Sequence, residues 1–288
     1  MTSSPTNADS GRGELFRTYL YGRAGAYTAV LGSAAVFVYG ASRRDLLILL
    51  AGPLVVVALV LAVSAVVADR AAAERFYRHY ARSLGLVYWP RSGLLPLTPL
   101  LGAGDRRWCE HWMTGTLPGE PRLTGGIGQY VWEELEEPRD SSAIQLGRGR
   151  TRHRMTICVA DLEPSIATFK GLFLRPHRGL IPGAPDWRRT STRAIELESV
   201  AFSRRYEVLV ANDQDENMAR QLLSPSLVVW LAAHPLAPCF EIRAGMLVVF
   251  VSRALDDEGS LTYLMDATRR IASRVAAETA EARAVPAT

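Results

Sequence analysis

Apolar positions are concentrated at the front of the chain in two runs. Ala24 to Ser42 carries no charge, and Leu46 to Ala68 is a denser series of Leu, Val, Ile and Ala. A membrane-spanning helix needs about 20 such residues, so the pattern predicts spans over 24–42 and 46–68. Only Arg43, Arg44 and Asp45 separate them, which predicts a tight transmembrane hairpin. Gly25, Ala29 and Ser33 recur at four-residue spacing, as do Ala58 and Ala62. Small residues at that spacing let two helices pack closely. The helical pattern continues from Asp69 to Leu84, with Phe76, Tyr80 and Leu84 on one stripe, and Gly85 suits its stop. Residues 69–85 are therefore expected to form a juxtamembrane helix.

Beyond Gly85 the period shortens. Residues 89–104, rich in Pro, Gly and Leu, read as an irregular crossing, and Asp105 as the cap of a short helix through Trp112. Strands are expected at Tyr130 to Leu135, Met155 to Val159, Thr168 to Leu174, Ile195 to Leu197 and Tyr206 to Val210. Asp213 followed by Glu216 resembles a capping box for a helix through Leu222. Ser224 and Pro225 then open a second helix that ends near His234 and Pro235. Phe240 to Arg243 and Met246 to Val251 flank Ala244-Gly245, a hairpin signal. Leu261, Leu264, Thr268, Ile271 and Val275 mark one stripe of a long terminal helix. Strands and helices without regular alternation predict an α+β domain over 86–288, behind the two-helix hairpin.

Charge changes the picture in two ways. Residues 1–82 hold nine Arg against five acidic groups, whereas 83–288 are balanced at 24 of each sign. Arg12, Arg17 and Arg23 precede the hairpin and Arg70, Arg75, Arg78 and Arg82 follow it, against two arginines in its turn. The positive-inside rule then places both termini, the polar leader 1–23 and the domain in the cytoplasm. The neutral domain also argues against nucleic acid. Cys109, Cys158 and Cys239 are odd in number and far apart, which reads as reduced thiols.

Chemistry is sparse. Of the 33 basic residues only Lys170 is Lys, and no Gly-x4-Gly precedes it, so a phosphate loop is excluded. Gly-x-Ser-x-Gly, His-Glu-x-x-His and Cys-x-x-Cys are all missing. Asp213, Asp215 and Asn217 imitate the start of a calcium loop, but Met218 and Ser224 stand where Gly and Glu are needed. Cys109, His111, His153 and Cys158 lack the paired spacing of a zinc site. Gly125-Gly126-Ile127-Gly128 precedes a strand and reads as a turn. Catalytic, cofactor and metal residues are accordingly expected to be none. Arg148, Arg150, Arg152 and Arg154 form the strongest basic run, opposite Glu133, Glu134, Glu136 and Glu137. Two readings stand: ion pairing across antiparallel strands, or contact with anionic lipid headgroups.

Phe169-Lys170-Gly171-Leu172-Phe173, Ile195-Glu196-Leu197-Glu198, Phe202 and Tyr206-Glu207-Val208 occur in that order. Asp213, Ala219-Arg220, Leu222-Leu223-Ser224-Pro225 and the hairpin closing on Met246 to Val251 follow. This order resembles the bacterial family of domain of unknown function thirty-one thirty-seven, over about residues 160–252 and the anchor. The resemblance implies a bacterial inner-membrane protein joining two spans to a soluble domain, with no established activity. The expected function is a cytoplasmic, non-catalytic interaction or ligand-binding domain with an unidentified partner, held to membrane lipids by the hairpin. The alternatives are a module for anionic lipid surfaces and an unrecognised enzyme.

Overall fold

The computed structural model describes residues 23–43, 46–135, 150–162, 165, 168–176 and 191–284. Arg12, Arg17, Arg44, Asp45, Glu136, Glu137 and Arg148 lie outside the described residues, as do the side chains of Arg23, Gly25, Ala29 and Arg43. The chain divides into two units, Met1–Tyr80 and Ala81–Thr288.

The first unit holds helix α1 (Arg23–Arg43) and most of helix α2 (Leu46–Ser83). In α2, Ala51–Ser83 is long and apolar enough to cross a membrane, with a mean hydropathy of 2.6 in its most apolar window. Leu54, Val55 and Leu59 stand 71%, 65% and 63% exposed. Such a surface suits hydrocarbon, because nothing among the described residues removes it from water. In α1 the described apolar run, Val30–Gly40, is shorter than a span. One spanning-length helix is therefore established, with a second, shorter apolar helix beside it. A Cβ added at Gly32 of α1 would come within 2.9 Å of Val56 Cγ1 on α2, so a small residue does allow close packing. The aromatic pair Phe76 and Tyr80 stacks one turn apart, with ring centroids 6.2 Å apart.

Gly85 ends α2 as its spacing predicts. At φ +70° it lets Leu86 N–H donate to Ala81 C=O at 2.8 Å and its own N–H donate to Arg82 C=O at 3.1 Å. That pair of bonds closes a helix on a left-handed residue.

The second unit is an open, wholly antiparallel nine-stranded sheet. Its strands are β1 (Val87–Ser92), β2 (Arg106–Leu117), β3 (Leu123–Leu135), β4 (Arg150–Asp161), β5 (Leu172–Pro176), β6 (Thr192–Ile195), β7 (Tyr206–Ala211), β8 (Cys239–Arg243) and β9 (Met246–Val251). They run in the order β1-β2-β3-β4-β9-β8-β5-β7-β6. Helices α3 (Val200–Ser203), α4 (Glu216–Leu222), α5 (Pro225–Ala233) and α6 (Glu258–Ala284) complete the α+β unit. The stripe Leu261, Leu264, Thr268, Ile271 and Val275 is fully buried where α6 packs on β4 and β9. Asp257 caps that helix by accepting from Ser260 N–H at 2.7 Å. The β8–β9 hairpin turns at Ala244-Gly245, both at positive φ, as a two-residue turn requires. The edge strand β1 contains Pro90, a residue that sheets tolerate at an edge.

Several sequence expectations are corrected. Residues 106–112 are not a helix but the start of β2, paired with β3 and, from Cys109 onward, with β1 as well. Asp105 accepts instead from Leu135 N–H at 3.0 Å. Residues 89–92, the start of the expected irregular crossing, pair within β1, and the remainder is irregular apart from a 3-10 turn at Leu100–Gly102. That remainder is tied down from the sheet, where buried Glu241 accepts from Leu100 N–H at 3.1 Å and Tyr130 O–H donates to Leu101 C=O at 2.9 Å.

The glycine-rich run 125–128 lies within β3 rather than in a turn, laddered to β4, with the Trp112 ring in the space side chains at Gly126 and Gly128 would fill and the Val159 backbone against Gly125. A Cβ at Gly126 would sit 2.4 Å from Trp112 Cζ2, and one at Gly128 would sit 2.9 Å from Cys109 Sγ. The strand expected at Ile195 to Leu197 is Thr192–Ile195, and that at Thr168 to Leu174 begins at Leu172. Asp215, not Asp213, caps α4, accepting from Asn217 N–H at 2.8 Å. Ser224 makes no capping bond to α5 and meets Ser226 Oγ at 3.2 Å.

Candidate functional site

Arg150, Arg152 and Arg154 of the basic run fall on β4 and Glu133 and Glu134 of its acidic counterpart on β3, antiparallel, with Glu133 opposite Arg152 and Leu135 opposite Arg150. The pairing is as expected, but the main ionic partner is on another strand. Arg152 Nη2 lies 2.5 Å from Glu110 Oε1, and Arg154 Nη2 lies 2.5 Å from Glu110 Oε2. Trp108 Nε1 donates to the same carboxylate at 3.0 Å. Arg150 alone takes Glu133, at 3.5 Å.

Arg91 on β1 stacks 4.2 Å above the Trp108 ring. Burial opposes ionisation of Glu110, yet the Trp108 N–H and the Arg154 and Arg152 charges overcome it and hold the carboxyl below the usual range. The three described arginines of the run thus share two carboxylates of their own sheet, Arg152 and Arg154 on Glu110 and Arg150 on Glu133.

Asp213 sits 3.9 Å from Lys170, both exposed. His111, at φ 51° in the bulge of β2, bonds Tyr88 O–H through Nδ1 at 2.9 Å. His153 stacks on Trp132 at 5.1 Å, with Glu134 3.8 Å away. Cys158 is buried against Thr268 of α6, and burial pushes its thiol up to about 12. Cys109 and Cys239 are likewise buried and free. Among the described residues no three His, Cys, Asp or Glu side chains converge as a metal site.

A different feature forms a cavity. Antiparallel pairing brings the end of β5, the start of β7, the start of β8 and the end of β9 to one end of the sheet, with Pro176 opposite Tyr206 and Cys239 opposite Phe250. They enclose a cleft of about 320 Å³. Its floor is apolar, formed by Tyr206, Leu236, Cys239, Phe250 and Val251, and its rim carries Arg204, Arg205 and Arg253.

Arg205 is anchored, donating to Ala232 C=O at 2.5 Å at the end of α5. Tyr206 O–H donates to Leu231 C=O at 3.3 Å. Arg253 is pinned only through its backbone, whose C=O accepts from Thr156 N–H at 3.0 Å and Thr156 Oγ1 at 2.9 Å. Arg204 and Arg253 are exposed and have no ion-pair partner among the described residues. Ala237 on the wall is held at φ 48°, the kind of strain that clusters at ligand sites.

None of the described lining residues is a carboxylate or an imidazole. Burial pushes the Cys239 thiol and the Tyr206 phenol far above their ordinary values, outweighing the nearby Arg205 charge. Both are protonated near neutrality, so the described lining offers positive charge without an ionised thiol or phenol. A second, shallower hollow of about 300 Å³ lies between α5 and α6, but its arginines are committed. Arg270 stacks over Trp230 at 4.6 Å and Arg274 pairs with Glu278 at 2.5 Å.

No motif in the sequence marks the cleft, since its arginines come from two segments and its floor from three strands. No family model matches the sequence, and no curated protein matches it. Among solved structures, the crystal structure of the mycobacterial trehalose monomycolate transport factor A, TtfA, matches over 70% of this chain and 94% of that chain. The TM-score is 0.48 and the identity 12%.

Proposed function

We propose that the chain is a multi-pass membrane protein of the bacterial inner membrane, anchored by a two-helix hairpin, that presents a cytoplasmic, non-catalytic ligand-binding domain. The observation that carries the binding reading is the cleft at the β5–β7–β8–β9 end, with two arginines on its rim that have no ion-pair partner among the described residues and no carboxylate or imidazole among its described lining. Clefts of about 300–1,000 Å³ with a mostly apolar lining and a few convergent polar groups are the usual form of small-molecule sites. The anchor reading is supported by the apolar Ala51–Ser83 helix and by the arginine asymmetry around the two runs. It also agrees with the two-span architecture implied by the resemblance to the domain family thirty-one thirty-seven.

The test is to fill the cleft. Ser252 lines it and is exposed, so Ser252→Trp should occupy the space without disturbing the sheet. A thermal-shift screen of small molecules on the full chain in nanodiscs should find compounds that stabilise the original protein and not the variant. Stabilisation that is equal in both would contradict a role for the cleft.

A further inference from the structure

The cleft's chemistry narrows the ligand. Three guanidinium groups and no described carboxylate line it, so an anion gains charge-assisted bonds there without opposition from a lining carboxylate. Arg204 and Arg253 are the two exposed donors, and the anchored Arg205 fixes a third between them in sequence. Below the rim the polar atoms of the wall are already used. The Cys239 thiol faces Ala237 C=O at 3.9 Å and the Tyr206 hydroxyl is bonded to α5. Beyond the arginines, Ser252 is the one polar lining side chain left to read a sugar or a peptide. The floor is suited to hydrocarbon.

We propose that this cleft binds an amphipathic anion, with a phosphate or carboxylate head on Arg204, Arg205 and Arg253 and an alkyl chain over Tyr206, Leu236 and Phe250. This rests on the reading of the cleft as the ligand site given above. At about 320 Å³ the cleft takes a short chain whole, or the first part of a longer one. The same head chemistry is found in free alkyl phosphates and in anionic lipids.

The experiment is calorimetric titration of the full chain in phosphatidylcholine nanodiscs, with empty nanodiscs subtracted. The probes are octyl phosphate, butyl phosphate, inorganic phosphate and 1-octanol. Octyl phosphate should bind tightest, since each buried methylene adds roughly fourfold. Arg204→Gln and Arg253→Gln should each weaken it by roughly tenfold. Both residues are exposed and without an ion-pair partner among the described residues, so melting of the protein should not change. Should either variant misfold, the ranking of the four probes on the unsubstituted chain still decides.

If 1-octanol binds as tightly as octyl phosphate and the arginines do not matter, the anionic class is wrong while the cleft remains a ligand site. If no probe binds, both this proposal and the ligand-binding reading fail. Competition from phosphatidylglycerol added to the discs would assign the anion to a lipid, and its absence to a solute. Octyl phosphate binding that depends on Arg204 and Arg253 supports the proposal in either case.

Discussion

The Glu110 carboxylate and the Arg154 guanidinium, 44 positions apart in sequence, meet at 2.5 Å over an intervening strand. With Arg152 on the other oxygen and Trp108 donating beside it, Glu110 fastens β2 to β4 across β3. Its side chain is 22% exposed, so these contacts are only partly screened by water. Glu110→Gln should lower the stability of the sheet domain by about 1–3 kcal/mol, the cost of losing hydrogen bonds to a charged group. Urea denaturation of the full chain, followed by near-ultraviolet dichroism, would measure it. A change within about 0.5 kcal/mol, as at an ordinary surface site, would show that the staple contributes nothing.

The same carboxylate gives the domain an acid dependence. Its folded pKa lies below the unfolded value of about 4.3, so the unfolded chain binds the proton first as pH falls. The staple's contribution is therefore complete above about pH 4.3 and is lost as pH falls through the folded value. Comparing the urea midpoints of the original chain and Glu110→Gln from pH 6 to pH 3 should show a difference that shrinks on the acid side. A difference independent of pH would contradict the charge-based account.

Gly126 makes a steric prediction. Its Cβ position is occupied by the Trp112 ring at 2.4 Å and by Met113 O at 2.7 Å, and backbone cannot swing aside. Gly126→Ala should destabilise the domain by about 1–3 kcal/mol, the usual penalty for overpacking. At Gly93, where the added carbon meets nothing within 4 Å, the same change should be nearly neutral. Thermal melts of the two variants would compare them, and equal melts would contradict this packing.

Local signals were readable along the chain, whereas long-range ones were not. Gly85, the Ala244-Gly245 turn and the Leu261 to Val275 stripe each depend on neighbours within a few residues. All three took the structure their spacing implied. β2 was hidden because the bulge between Glu110 and Met113, with His111 at φ 51°, breaks the two-residue alternation that marks a strand. With β2 unread, Glu110 has no place opposite the arginines, and Glu133, Glu134, Glu136 and Glu137 stand as their whole set of partners. The cleft was invisible for a further reason. Arg204, Arg205 and Arg253 meet only after β7, β8 and β9 pair, and exposed arginines in a chain with 32 of them carry no signal of their own.

The anchor makes a prediction independent of the domain. Seven arginines flank the two apolar runs on one side and two lie between them, so Thr288 should be cytoplasmic. Fluorescent reporters fused there should light and phosphatase reporters should stay inactive. Strong phosphatase activity would reverse the orientation and put the cleft outside the cytoplasm.

The most direct measurement of the central claim is where a bound amphipathic anion touches the chain. An octyl phosphate bearing a photoreactive diazirine on its alkyl chain, activated with the full chain in phosphatidylcholine nanodiscs, would be mapped by peptide mass spectrometry. The account predicts adducts on the cleft floor around Tyr206, Leu236 and Phe250, removed by excess unlabelled octyl phosphate and reduced in the Arg204→Gln and Arg253→Gln proteins. Adducts confined to the apolar helix Ala51–Ser83, unchanged by competitor or by the arginine substitutions, would contradict it.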